Sequence, residues 1–465
     1  MYELLETVNK AVWGIPLLIL ILGVGLYISS RTGFVQFRLF PEALSAFFRQ
    51  FKRKGSNGGT SSYRALCTAL AATVGTGNLA GVAGAIAIGG PGAIFWMWIS
   101  AILGMATKFA EAAIAVRYRV RNDKNELVGG PMYVIRNGLG KKWEWMATIY
   151  CFFGVVASFG VGNATQINTV IGGIDSMASA FGTEVTASVK IAIGVILAVL
   201  ITVMFFGGAK RIGQITEMLV PVISVGYLLL GTSVLILKAN AIPSAFRSII
   251  YGAFSPSAVT GGMIGSAMNA LRIGASRGVF TNEAGMGTAS IAHASANVKH
   301  PAEQGLMGIM EVFLDTIVIC TMTALVILCS GTEISYGIDT GVALTTQAFT
   351  EVCGGWVSIP IAFALCCFAI ATVLGWGLYG MRCAQFIFGD GVWKRFVLLQ
   401  AVVIVVGATL NTSTVWLLAD IVNGLMAIPN LIALFLLTPV ISQLVKSYKK
   451  EPDRSGQAQG KVIRL

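Results

Sequence analysis

A chain of 465 residues in which 55% are hydrophobic and only 12% charged carries about half the charge of a soluble globular protein, and its mean hydropathy is +0.77. Apolar windows of about 20 residues recur along the whole length, which predicts an all-α polytopic membrane protein embedded in a lipid bilayer. The net charge of +12 does not point to a nucleic acid, because the positive residues sit in loops between apolar spans. The eight cysteines lack metal or disulfide spacing, and two histidines without an HExxH pattern argue against a zinc enzyme.

Residues 1–10 are polar, with Glu3 and Glu6, and residues 11–29 form the first apolar span. That span is too long for a signal-peptide core and lacks a basic leader, so a retained helix is expected. Arg31, Arg38, Arg49, Lys52, Arg53, Lys54 and Arg64 then crowd one loop, which the positive-inside rule puts in the cytoplasm, with the N-terminus outside. A polar-interrupted span over 64–88 turns at Gly89-Gly90-Pro91-Gly92, and 93–116 returns to a second basic loop with Arg117, Arg119, Arg121, Lys124, Arg136, Lys141 and Lys142. Spans are expected at 147–171, 187–206 and 215–237, with Lys210 and Arg211 in an inner turn and 239–257 as an outer loop. Residues 259–294 hold Arg272, Arg277, Asn282 and Glu283, are too long and polar for one simple span, and predict a second broken helix. Lys299 and His300 fall inside, 306–329 goes out, Glu333, Asp339 and Glu351 mark an outer loop, and 357–379 returns to Arg382, Lys394 and Arg395. Spans 397–410 and 415–440, joined by a hairpin at 411–413, precede a cytoplasmic tail with Lys446, Lys449, Lys450 and Arg454. The sum is about eleven spans, with every strongly basic loop on one side.

The first interruption is Thr73-Val74-Gly75-Thr76-Gly77-Asn78-Leu79-Ala80-Gly81. Two glycines one residue apart, flanked by Thr76 and Asn78, are poor helix formers in mid-span, and unwound backbone survives in lipid only where it is buried in protein or lines a cavity. Gly77 and Gly81 also suit close helix packing, but packing alone does not need Thr76 and Asn78. The glycine spacing, with no strand before it, excludes a dinucleotide-binding loop. Gly285-Met286-Gly287 repeats the Gly-x-Gly break in the second polar span. The first broken span runs outward and the second inward. With the first helix peripheral, the chain divides into two inverted units of about five helices, a leucine-transporter-like inverted repeat. The corresponding boundaries are 1–63 for the peripheral helix and first basic loop, 64–237 and 238–445 for the two units, and 446–465 for the tail.

At Gly89-Gly90-Pro91-Gly92-Ala93-Ile94-Phe95-Trp96-Met97-Trp98 the chain closely resembles the sodium:alanine/glycine symporter family. Gly75-Thr76-Gly77-Asn78, the run from Arg277 through Thr281, Asn282 and Glu283 to Gly287, Phe313-Leu314-Asp315-Thr316 and Ala427-Ile428-Pro429-Asn430 are similar to that family too. The resemblance covers about residue 11 to the last span. It implies a leucine-transporter-like core and sodium-driven uptake of small neutral amino acids by alternating access, in the plasma membrane of a prokaryote.

A zwitterion near the midplane needs partners for both ends. Half-helix amides make an anion site, and those around Gly75, Thr76, Gly77 and Asn78 are approachable because glycine has no side chain in the way. Carbonyls at the opposite half-helix end, with Gln166 from the polar turn Gly162-Asn163-Ala164-Thr165-Gln166, suit the ammonium; interhelical hydrogen bonding is an equal reading of Gln166. Sodium is a hard cation that takes oxygen ligands. By analogy with the fold, the Ala71 and Val74 carbonyls with the Thr372 hydroxyl form one sodium site, while Asn78 serves a second site or the substrate. Trp376 follows Thr372 by one helical turn, and an indole there leaves room for alanine or glycine; packing is its commoner fate. The resemblance adds Thr281 to the substrate contacts.

Intramembrane charges are functional candidates by default. Lys108 and Glu111 are helical neighbours suited to pairing, as are Glu311 and Asp315 with a further cation, and Glu283 is expected in a structural or gating ion pair with Arg277 or Arg272. Glu217 and Asp420 have no assigned role. No organic cofactor is indicated. Proton-coupled or glutamine-type symport on the same fold is the nearest rival, a channel is more distant, and an enzyme is disfavoured because no nucleophile–base pair is recognisable.

Overall fold

Inside a bilayer every backbone amide must find its partner within the protein, and long runs of Leu, Ile, Val, Ala and Phe do so by forming helices. The computed structural model describes residues 2–52, 60–123, 125–262, 265–338, 341–409, 412–450 and 463–464. Among the basic and acidic loop residues named above, Arg53, Lys54, Lys124, Asp339 and Arg454 lie outside the described residues, as does Asn411 in the expected hairpin.

In chain order the helices are α1 (Glu3–Arg31), α2 (Phe40–Lys52), the half-helices α3 (Ser62–Thr73) and α4 (Gly77–Gly89), then α5 (Gly92–Tyr118), α6 (Lys141–Ser179), α7 (Ala187–Phe205) and α8 (Gly208–Leu237). There follow α9 (Ile242–Phe254), the half-helices α10 (Ala267–Asn282) and α11 (Thr288–His293), α12 (Pro301–Ser330), α13 (Val342–Cys353), α14 (Gly355–Phe388), α15 (Trp393–Gly407) and α16 (Leu417–Tyr448). Among the described residues, eight helices are long and apolar enough to cross a membrane, or nine with α3 and α4 taken as one span bent by 51°. The two other expected spans are α10 with α11, and α15, each too short to qualify alone. Two expected outer loops instead hold helices. Pro243 sits in the first turn of α9, where its missing amide hydrogen would be unbonded anyway, and α13 lies over the first break through Thr345 Oγ1, which donates to Leu79 O at 3.0 Å.

Packing between the units follows the inversion. Half-helix α3 packs on α11 and α4 on α10, so the two broken helices run antiparallel; α5 packs on α12, α6 on α14 and α7 on α15. Each of the first four elements of one unit thus meets its counterpart in the other, as a two-fold axis in the membrane plane requires. Helix α1 stands outside this pairing, against α5 and α16. Glycine makes the central contact close: a methyl on Gly308 of α12 would lie 2.7 Å from the Lys108 carbonyl of α5. Beyond α5, strand β1 (Val120–Arg121) pairs antiparallel with β2 (Leu127–Val128) and parallel with β3 (Ile463–Arg464) from the tail.

Candidate functional site

Helix α3 ends because the next donors turn away. The Gly75 amide, which would close on Ala71 O, donates instead to Asn78 Oδ1 at 2.8 Å. The Asn78 amide, which would close on Val74 O, donates to Gly75 O at 3.2 Å. The Ala71 and Val74 carbonyls therefore lose their ordinary helical partners and stand at the bend. The chain resumes as a π-helical turn over Gly77–Gly81, a form that recurs at functional sites.

Helix α14 lies over this bend. A methyl on Gly375 would come within 2.9 Å of the Ala72 amide nitrogen, and one on Gly75 within 2.4 Å of Thr372 Oγ1. Among the described residues the buried Thr372 hydroxyl makes no hydrogen bond, so it does not bond back to its own turn as a mid-helix threonine often does. The bend therefore carries neutral oxygens, two freed carbonyls and a hydroxyl against Gly75, and oxygen is the ligand type that hard cations take. Among the described residues no group of three or more His, Cys, Asp or Glu side chains is placed to hold a metal ion.

Thr76 Oγ1 donates to Gln166 Oε1 at 2.8 Å, and Gln166 Nε2 donates to Val161 O at 3.0 Å. The polar turn around Gln166 is itself π-helical over Gly160–Ala164. Thr281 spends its hydroxyl on its own helix, on Gly278 O at 2.8 Å, and turns its methyl to Gly77 and Gly81. Asn78 is committed on both sides, since its Nδ2 donates to Asp315 Oδ1 at 2.7 Å. Asp315 Oδ2 accepts from Thr316 Oγ1 at 2.7 Å, and Thr316 Oγ1 accepts from Asn282 Nδ2 at 3.1 Å. A hydrogen-bonded chain thus runs from one break to the other with a buried carboxylate at its centre.

The second break is held differently. Glu111 Oε1 accepts from the Gly285 and Gly287 amides, each at 3.0 Å, and from Asn430 Nδ2 at 2.7 Å. Helical spacing alone suggested that Lys108 would take Glu111. Lys108 instead lies 3.3 Å from Glu311 Oε1; Glu311 Oε2 lies 2.8 Å from His293 Nε2, and Gln304 Nε2 lies on the other ring nitrogen. The expected pairing of Glu283 with arginine is also corrected. Glu283 follows the end of α10 in a left-handed turn, φ 55°, which swings its carboxylate to Trp376 Nε1 at 2.7 Å and to the Thr288 hydroxyl. Arg277, on the regular helix before the turn, lies 3.7 Å from Asp420, and Glu217 pairs with Arg64 at 2.7 Å. Glu111, Asn282, Asp315, Thr316 and Asn430 were visible in the sequence only as intramembrane polar residues or as parts of motifs; their partners lie far away along the chain.

The model of the sodium:alanine symporter family matches residues 1–462. The sodium/alanine symporter AgcS of Methanococcus maripaludis is 42% identical over 454 residues, covering 96% of this chain and 97% of that protein. The amino-acid carrier protein AlsT of Bacillus subtilis is 39% identical over 455 residues, 97% of this chain and 92% of that one. The crystal structure of MhsT in complex with L-phenylalanine superposes with a TM-score of 0.58 at 14% identity, covering 84% of this chain and 99% of that chain. At that identity it shows the fold alone, a leucine-transporter-like one.

Proposed function

The chain belongs to the sodium:alanine symporter family, and we propose from that premise that it carries small neutral amino acids, alanine and glycine foremost, into the cell together with sodium. The observation that carries this reading is the first break, where the buried Thr372 hydroxyl, without a hydrogen bond among the described residues, lies against Gly75 at the bend that frees the Ala71 and Val74 carbonyls. In this reading those three oxygens take sodium, with Asn78 shaping the bend that exposes them. The backbone of Gly75, Thr76 and Gly77 receives the substrate carboxylate. Gln166 Oε1 receives the ammonium, the Thr281 methyl lines the cleft, and Trp376 closes the space beyond a short side chain. Arg277 with Asp420 is a structural ion pair tying α10 to α16. The units are 64–237 and 238–445, after the peripheral 1–63 and before the tail 446–465.

The carrier has no chemical step and needs no organic cofactor. Its setting is the plasma membrane of a prokaryote, with the N-terminus outside and the basic loops and tail in the cytoplasm; the pairing of β3 with β1 supports a tail on the side of the second basic loop. One sodium ion suffices. Falling through ~150 mV it gains about 3.5 kcal/mol, and a tenfold gradient adds about 1.4 kcal/mol. That sum, roughly 5 kcal/mol, concentrates a neutral solute a few thousandfold.

Labelled alanine uptake into liposomes holding the purified protein, with an inward sodium gradient against matched potassium, tests the proposal. Sodium-dependent accumulation above equilibrium, competed by glycine, is expected. Uptake that follows a pH gradient equally in both salts would make the carrier proton-coupled. Stronger competition by glutamine would reassign the substrate, and flux far above carrier turnover without accumulation would indicate a channel.

A further inference from the structure

Trp376 is held at both ends. At its root, a methyl on Gly162 would lie 2.2 Å from Trp376 Cβ, so the backbone of α6 presses on the side chain where it leaves α14. At its tip, the indole Nε1–H donates to Glu283 Oε1 at 2.7 Å. Tyr379 meets the ring edge-on, with centroids 6.0 Å apart at 61°. An indole has two side-chain torsions and one donor. With the root confined, the bond at Nε1 decides how the ring plane is turned, and a bond to a carboxylate is roughly twice as strong as one between neutral groups.

The acceptor is itself fixed. Glu283 takes the left-handed conformation, φ 55° and ψ 20°, which is uncommon for a residue with a side chain and persists where the surroundings over-determine it. Its amide closes α10 on Val279 O at 2.7 Å, and its carbonyl accepts from the Met286 amide at 3.1 Å. Its second carboxylate oxygen accepts from Thr288, the first residue of α11. The carboxylate is therefore tied to both half-helices of the second break while it grips a ring that stands one turn from Thr372 at the first.

We propose that Glu283 sets the size of the substrate this carrier accepts, as a positioning residue that acts through Trp376. The inference rests on Trp376 walling the substrate cleft. The second break supplies the carboxylate that fixes the indole at the first, and release of the indole tip lets the ring turn and admits longer side chains.

Liposome uptake of alanine in competition with leucine, measured for Glu283→Ala, Glu283→Gln, Trp376→Phe, Trp376→Ala and the double variant Glu283→Ala/Trp376→Phe, tests it. Glu283→Ala is expected to lower the preference for alanine over leucine by about tenfold, mainly through a lowered KM for leucine. Trp376→Phe, which deletes the donor and leaves Glu283 intact, is expected to do the same. The double variant should go no further, because both single changes remove one bond. Glu283→Gln keeps an acceptor oxygen and should retain most of the preference. Multiplying effects in the double variant would overturn the inference. So would an unchanged preference in Glu283→Ala while Trp376→Ala alters it, with Trp376 still a pocket wall. If Trp376→Ala also leaves the preference unchanged, the pocket reading fails and takes the inference with it. Should Glu283→Ala not fold, Glu283→Asp, whose carboxylate is one methylene short of the indole, replaces it: a relaxed preference supports the inference, and an unchanged one overturns it.

Discussion

The two interruptions begin from nearly the same letters, Gly75-Thr76-Gly77 and Gly285-Met286-Gly287, and reach opposite electrostatic ends. At the first, the capping group is a neutral carboxamide: Asn78 Oδ1 holds the Gly75 amide, and carbonyls and the Thr372 hydroxyl are left over. At the second, Glu111 lays a carboxylate oxygen on the Gly285 and Gly287 amides. A half-helix start is an anion site wherever it occurs, so inverted repetition makes two. One glutamate from α5 fills the second, and under the proposed function the first receives the substrate carboxylate. The glycines differ as well. Gly285 and Gly287 have φ of 94° and 78°, a region that favours glycine, whereas Gly75 is needed for space, because Thr372 Oγ1 lies against it.

Removing the internal anion is the strongest way to erase this difference. Glu111→Ala leaves the Gly285 and Gly287 amides and the Asn430 amide without their common buried acceptor, at about 3 kcal/mol or more. The thermal midpoint of the detergent-purified protein should fall further than for any change at the first break, and an unshifted midpoint would show that the clasp is dispensable. Next comes crowding of the first break. Gly75→Ala puts a methyl 2.4 Å from Thr372 Oγ1 and should cut sodium-driven alanine uptake by at least about tenfold, with a smaller change in midpoint than Glu111→Ala. Uptake near the unaltered level would mean that the contact relaxes freely.

A milder change separates ion from substrate. Thr372→Ala removes the unpartnered hydroxyl and should raise the sodium concentration for half-maximal uptake about fivefold, the equivalent of about 1 kcal/mol, with little effect on alanine against glycine. A sodium requirement that stays put would take Thr372 out of the ion site. The smallest effect belongs to Arg277→Gln. Its pair with Asp420 is long, at 3.7 Å, and glutamine keeps an N–H donor toward the carboxylate, so midpoint and uptake should move less than in the changes above. Collapse of transport in this variant would give Arg277 a gating role that the pairing distance does not suggest.

Much of this molecule was readable in advance because the relevant signals are local. Both breaks fall where glycine and polar residues interrupt apolar runs, and the π-helical turn beside Gln166 falls in the segment whose polarity marked it. Two surface segments read as loops hold α9 and α13: Pro243 looks like a turn signal until one knows that a proline occupies a helix's first turn, and Glu333, Asp339 and Glu351 make the second segment look like a polar outer loop. Charge pairing was least readable. Lys108 and Glu111 stand on adjacent turns of α5, and that spacing predicts a pair, but the facing helix brings Glu311 to the lysine and the second break brings two amides to the glutamate.

The sequence by itself determined that this is a helical membrane protein, where its helices break, and which family it resembles, since lipid forces each span to satisfy its own backbone and so writes span and interruption into hydropathy and glycine content. Only the tertiary structure decided which buried groups meet: Glu283 with Trp376, Glu111 with the second break, Asp315 between Asn78 and Thr316. Such partners are far apart along the chain and leave no local periodicity. In a low-dielectric interior each buried charge nevertheless has to find donors, and the inverted packing of the two units chooses which donors are within reach.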